Sequence, residues 1–345
     1  MTEPQGLDLG ALRVWLDAQV PELVNGELSA TLITGGKSNL TYSVGDGTQE
    51  YVVRRPPLGH VLATAHDMSR EYTVMAALAP TAVPVPKMHA LCMDIDVIGS
   101  PFYVMEKVAG TPYSRASDLA ILGEDRTRTI TERMVDTLVD LHAVDYAAIG
   151  LADFGRPEGY LGRQLRRWKK QLDSSRSRDL AGMDELIAGL SASVPAESGA
   201  TIVHGDFRLD NLLVDTLPNG GGDQITAVLD WEMSTLGDPL TDLAVLLAYQ
   251  QMGESGPATQ ANVVTDAPRA PGYLSRDEIT ARYAARSGRD VSELGFHLGL
   301  AFFKLAVILE GIHYRHSHGQ TVGTGFDGIG DRIVPLIDAG RAAIR

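Results

Sequence analysis

One run of residues constrains this chain more than any other: His204-Gly205-Asp206-Phe207-Arg208-Leu209-Asp210-Asn211, leading directly into the apolar Leu212-Leu213-Val214. A second apolar run, Ala227-Val228-Leu229, ends in Asp230-Trp231-Glu232, and Asn219-Gly220-Gly221-Gly222-Asp223 lies between the two as a strong turn signal. The pattern predicts a hairpin that sets Asn211 beside Asp230. Chemically, Asp206 is a carboxylate able to accept a proton from a hydroxyl. Asn211 offers a neutral oxygen and Asp230 a charged one, a pair suited to a hard cation such as magnesium carrying phosphate oxygens. The three together are the minimum equipment for moving a phosphoryl group from a nucleotide to an alcohol.

The HGDFRLDNLLVD segment resembles the catalytic loop of the aminoglycoside and choline phosphotransferase family, and LDWEMSTLGDPLTDLA is similar to its metal-binding segment. The likeness extends from about Leu32 to the C-terminal helices. It is strongest to the kinase-like domains fused to acyl-CoA dehydrogenases, which share a strand ending like Val52-Val53-Arg54-Arg55-Pro56-Pro57. The resemblance implies an α+β, two-lobed protein-kinase-like fold. Residues 1–107 would form a nucleotide-binding lobe of antiparallel sheet plus helix, and 108–345 a mainly helical catalytic and acceptor-binding lobe. It also implies a small-molecule kinase using ATP, or GTP as in some relatives, with Mg2+ on Asn211 and Asp230 and Asp206 as catalytic base.

The expected nucleotide contacts follow from this resemblance. Leu32 to Val44 reads as strand, glycine turn and strand, which places Gly36 and Ser38 at a phosphate cradle or an ordinary hairpin. Thr31 stands where a P-loop needs its first glycine, so Gly36-Lys37-Ser38 is not a Walker motif. On the strand Glu50 to Arg55 the family pattern points to Arg54 where most relatives carry lysine. Arginine keeps its charge and grips phosphate oxygens bidentately, but its planar fork alters the geometry. Glu71, on a helix capped by Asp67 with Met68, Tyr72, Met75 and Leu78 at helical spacing, is its expected partner. The strand Pro101 to Gly110 resembles the hinge, with the Glu106 carbonyl and Val108 amide for adenine and Met105 near the ring.

Further along, Asp125 to Val144, Tyr160 to Leu172, Asp184 to Leu190, Asp242 to Ala248 and Phe296 to Tyr314 read as helices, and Gly253 to Gly272 as an aperiodic connection. Asp238 is expected to cap the helix after it, and Asp242 to brace the catalytic loop. His313, His316 and His318 beside Glu310 do not converge on one helix face, so they read as a polar helix end, with Tyr314 and Arg315 near the acceptor.

With 30 basic and 44 acidic residues the formal charge is −14, which disfavours nucleic acid as a partner. A single cysteine, Cys92, leaves no internal disulfide. No signal-peptide pattern opens the sequence, and no segment reads as a membrane span, so the expectation is a cytoplasmic enzyme with a small-molecule hydroxyl acceptor and no membrane partner. The alternative is a non-catalytic nucleotide-binding module of the same fold, against which the complete Asp206, Asn211 and Asp230 set argues. A protein kinase is disfavoured by the missing three-glycine loop, Asp-Phe-Gly and Ala-Pro-Glu segments.

Overall fold

A computed structural model describes residues 4–33, 39–58, 67–216, 222–255, 265–319 and 328–345. The chain divides into two compact units, Met1–Gly110 with Thr226–Ser234, and Thr111–Ile225 with Thr235–Arg345. Asp230 therefore belongs to the first unit and Asp206 to the second.

The first unit is built on a five-stranded antiparallel sheet. Helix α1 (Leu9–Gln19) comes first, started by the Asp8 carboxylate, which accepts from Ala11 N. Strands β1 (Ser29–Leu32), β2 (Leu40–Gly45) and β3 (Glu50–Arg55) precede α2 (Met68–Leu78), and β4 (Met88–Cys92), the short α3 (Ile95–Ile98) and β5 (Phe102–Glu106) follow it. The spatial order is β1-β2-β3-β5-β4. Alternation along the strands sorts their side chains. Tyr42, Val44, Tyr51, Val53, Phe102 and Val104 enter one apolar cluster with Leu12 and Leu16 of α1. Each fully buried aliphatic or phenyl side chain there stabilises the fold by roughly 1.5–3 kcal/mol. Arg55 is buried with this face and donates to the carbonyls of Gly6 and Ile98, a structural role. Arg54 is left on the other face.

In α2 the buried stripe is Met68, Glu71, Val74, Met75 and Leu78. It runs through Glu71 rather than through Tyr72, the difference from the spacing read in the sequence. Asp67 caps the helix, accepting from Ser69 N at 3.0 Å and Arg70 N at 3.2 Å.

The second unit is mainly helical. It contains α4 (Ala116–Leu122), α5 (Glu124–Ala143), α6 (Tyr160–Ser175), α7 (Met183–Ala192), α8 (Leu240–Ser255), α9 (Arg276–Ser287), α10 (Leu294–Ser317) and α11 (Ile333–Ala343). Two small sheets interrupt the helices. β6 (Thr201–Val203) pairs antiparallel with β9 (Thr235–Gly237), and β7 (Leu212–Asp215) pairs with β8 (Gln224–Val228), through which the chain passes back to the first unit.

Two expectations are corrected here. Helix α10 is long and apolar enough to cross a membrane by length and composition, contrary to the sequence reading, but 78% of its apolar window is buried inside the protein. Its hydrophobicity is that of a core helix surrounded by others. Secondly, Gly253 to Ser255 complete α8 instead of opening an irregular connection, and Ala267–Arg269 form a short 3-10 turn. Arg269 donates to the carbonyls of Gly253 at 2.7 Å and Glu254 at 3.0 Å, satisfying acceptors at the end of α8.

Candidate active site

Two polar clusters stand out, one in each unit. In the first, antiparallel register sets Arg54 of β3 opposite Tyr103 of β5, with both side chains on the sheet face away from α1. The Asp67 cap fixes the phase of α2 so that Glu71, only 1% exposed, meets them. Arg54 Nε lies 3.2 Å from Glu71 Oε2, and Arg54 Nη2 lies 2.6 Å from Asp230 Oδ1. The Tyr103 hydroxyl donates to Glu71 Oε2 at 2.9 Å, and Asn39 Nδ2 donates to Glu71 Oε1 at 3.2 Å. Both carboxylate oxygens of Glu71 are thus occupied.

Burial works against the Arg54 charge, yet Tyr103, Glu71, Asp230 and Glu232 around it outweigh that cost and hold its pKa above the ordinary arginine value. For Glu71 burial wins, and its pKa is raised despite Arg54 and Tyr103. Asp230 adopts φ 67° and ψ 58°, a left-handed conformation rare for a residue with a side chain. Such geometry persists only where its surroundings impose it, here with the buried Trp231 donating Nε1 to Val228 O at 2.9 Å.

The second cluster is the loop from β6 to β7. Asp242, at the start of α8, accepts from His204 N and Gly205 N at 2.7 Å each. Behind it, His142 lies 3.3 Å from Asp242 Oδ2 through Nε2 and 2.8 Å from the Tyr283 hydroxyl through Nδ1. Asp238 accepts from Leu240 N at 2.9 Å and from Ser198 N and Oγ, so it caps α8 and ties down the segment before β6. Gly205 takes φ 85°, a turn a glycine makes without steric cost.

Asp206 follows that turn. Asn211 reaches back with Nδ2 to the Asp206 carbonyl at 2.8 Å and to its Oδ2 at 3.1 Å. Arg208 Nε is 3.6 Å from the same Oδ2, its Nη2 is 3.0 Å from Asp210 Oδ2, and its guanidinium lies over the Tyr249 ring at 4.6 Å. Lys304 Nζ donates to the Gly205 carbonyl. Asp206 Oδ1 is buried with no hydrogen-bond partner among the described residues. Burial pushes the Asp206 pKa up, but Arg208, Lys304 and Tyr249 more than compensate, leaving a carboxyl below its usual range.

Residues 29–279 match the phosphotransferase enzyme family, APH. The chain belongs to that family. A Ralstonia eutropha JMP134 crystal structure, provisionally assigned as an aminoglycoside phosphotransferase, is 35% identical, with 98% of each chain covered and a TM-score of 0.82. Acyl-CoA dehydrogenase family member 10 of Mus musculus is 34% identical over 311 residues, which is 90% of this chain and 28% of the mouse protein. The chain thus spans less than a third of that relative's length. A thermostable mutant of the aminoglycoside phosphotransferase APH(4)-Ia, in ternary complex with AMP-PNP and hygromycin B, shares the fold at 14% identity, with 96% and 98% of the chains covered and a TM-score of 0.59. The molecule is a phosphotransferase of kinase-like α+β fold.

Among the residues singled out from the sequence, Arg54, Glu71 and Asp230 come together in this phosphotransferase's first unit, and Asp206 and Asn211 in its second. Glu106 is exposed at the end of β5; its N–H donates to Lys87 O at 2.8 Å, and Val108 is half-buried just beyond. Gly36 and Ser38 lie outside the described residues. Glu310 is fully buried, accepts from Ser177 N and Oγ, and pairs with Arg178.

The sequence reading passed over Asn39, Tyr103, Arg208, Tyr249 and Lys304. Arg208 sat inside the motif itself. Lys304 was legible as the one charge among Phe302, Phe303, Leu305, Ala306 and Val307, whereas Asn39 and Tyr103 carried no local signal.

Proposed function

We propose that this phosphotransferase transfers the γ-phosphoryl group of Mg-ATP to a hydroxyl of a small metabolite, with Asp206 as the catalytic base. The observation that carries this reading is the setting of Asp206: a carboxyl on a loop pinned by Asp242, with one buried oxygen that has no hydrogen-bond partner among the described residues. An acceptor hydroxyl is the group that such an oxygen would take.

In this mechanism the acceptor oxygen bonds to the γ-phosphorus, the bond to the β,γ-bridging oxygen breaks, and the hydroxyl proton passes to Asp206 while ADP leaves. Because the transition state is loose, catalysis is mostly orientation and neutralisation. Arg54, held by Glu71, would grip phosphate oxygens, with Gly36 and Ser38 as further phosphate contacts and the Glu106 carbonyl and Val108 amide for adenine. Asp230 would offer a partly exposed carboxylate and Asn211 a neutral amide oxygen, donors of the kind magnesium takes. Magnesium on these two oxygens would neutralise phosphate charge and align the transferring group.

The acceptor would be a hydroxylated metabolite met in the cytoplasm, in keeping with the net charge of −14, which disfavours a nucleic-acid partner. The relative named as an acyl-CoA dehydrogenase family member brings hydroxyacyl thioesters into the panel, beside amino alcohols, sugars and aminoglycosides. The test is transfer of radiolabelled γ-phosphate from ATP to this panel. Labelled product made by the wild type and lost in Asp206→Asn supports the reading; hydrolysis and transfer both absent across the panel would count against it.

A further inference from the structure

We infer that Lys304 is a positioning residue for the proposed base: it fixes the peptide that joins Gly205 to Asp206, and so aims the Asp206 carboxylate. The inference rests on the phosphotransfer reading for its consequence, but its geometry stands apart from it. A lysine at the centre of α10 has no place in ordinary core packing. Its neighbours are Phe302, Phe303, Leu305 and Ala306, and the residue itself is only 6% exposed. An ammonium taken from water at such a place is retained only when specific partners compensate it.

Its hydrogen bond leads to the loop and its ring contact to α6. Lys304 Nζ donates to the Gly205 carbonyl and lies 5.7 Å from the centroid of the Trp168 ring on α6. On the other side of the same residue, Gly205 N donates to Asp242 Oδ1 at 2.7 Å. The amide and carbonyl of Gly205 are therefore clamped from α8 and α10 respectively. Gly205 is also the residue at φ 85°, with no side chain to hold its own conformation. Without the ammonium the carbonyl loses its donor, and the next residue, Asp206, loses a fixed direction. Burial lowers the Lys304 pKa, while Asp206 and Asp242 oppose that trend.

The discriminating variant is Lys304→Met, which keeps an unbranched stem against Trp168 and removes the charge and its hydrogen bond to Gly205. Removing the ammonium leaves the Gly205 carbonyl short of a donor and the buried Asp206 and Asp242 carboxylates short of a counter-charge, so some loss of stability is expected. The expected result is a melting temperature below that of the wild type but a folded protein, an ATP dissociation constant within about twofold, and kcat lower by about 10- to 100-fold, the effect of misplacing a catalytic group. Hydrogen exchange of the peptide carrying Gly205 and Asp206 should quicken in Lys304→Met and not elsewhere. Lys304→Arg should restore part of both. Unchanged exchange in that peptide, or turnover like that of the wild type, would overturn the assignment. Exchange is read without any activity, so a protein that fails to bind nucleotide defeats the phosphotransfer reading while the positioning of the loop is still decided. Should Lys304→Met not fold, Lys304→Gln takes its place with the same two readouts.

Discussion

Arg54 Nη2 lies 2.6 Å from Asp230 Oδ1 while its Nε lies 3.2 Å from Glu71 Oε2, so one guanidinium spans two carboxylates through different nitrogens. A lysine ammonium has three donors on one nitrogen and no planar fork, so it would have to meet both carboxylates from a single point. The pocket is arranged for a fork.

Arg54→Lys should therefore fail to behave as a conservative change. We expect kcat/KM for ATP to fall by about 10- to 100-fold, or roughly 1.4–2.8 kcal/mol of transition-state stabilisation. Steady-state kinetics check this, and values equal to the wild type would show that no fork is needed.

Asp206→Asn keeps the size of the side chain and removes the base. Turnover should drop by roughly 10²–10⁴, on the order of 3–5 kcal/mol, with ATP affinity largely intact. A variant that weakens binding but leaves kcat untouched would take Asp206 out of the base role.

How much of this was visible before the fold? The strands bearing Arg54 and Tyr103, the Asp67 cap and the longer helices were legible, because alternation, capping and helical spacing are local signals. The helix Asp125 to Val144 came out as Glu124–Ala143, a shift of one residue. Helix α1 was overlooked although Asp8 followed by Leu12 and Leu16 announced it. What the sequence could not display is convergence. Asn39 and Tyr103 reach Glu71 across 32 positions of chain each, and Lys304 reaches Gly205 across 99. Such meetings depend on sheet order and helix packing, which local sequence patterns do not reveal. The extent of α8 was misjudged for a related reason: its final turn is satisfied by Arg269, from beyond the loop.

Tyr103→Phe removes the buried hydroxyl that donates to Glu71 Oε2. The cost should be about 1–3 kcal/mol of folding stability, since the carboxylate oxygen left behind stays buried. Urea unfolding followed by fluorescence measures it, and an unchanged midpoint would mean that Arg54 and Asn39 suffice for Glu71.

The loop should also set the acid limit of the fold. Asp206, Asp238 and Asp242 all have folded pKa values lowered from the usual carboxylate range. In each, burial is the largest influence and opposes the shift; it is outweighed by Arg208 and Lys304 at Asp206, by His297 and Ser198 at Asp238, and by His142 and His204 at Asp242. A depressed carboxyl contributes stability that is fully present above its unfolded pKa, about 3.9 for aspartate, and is lost as the pH falls through the folded value. Melting temperature should accordingly hold its level from these groups down to about pH 5 and then fall steeply. In Asp242→Asn the fall should be shallower, from a lower plateau. A wild-type profile flat to pH 3 would contradict the assignment.

The most direct test of the account is calorimetric titration with ATP and with GTP, each with and without magnesium, on the wild type and on Asp230→Asn. The account predicts nucleotide binding that requires magnesium and is lost in Asp230→Asn. Binding of neither nucleotide, or binding indifferent to both magnesium and Asp230, would contradict it.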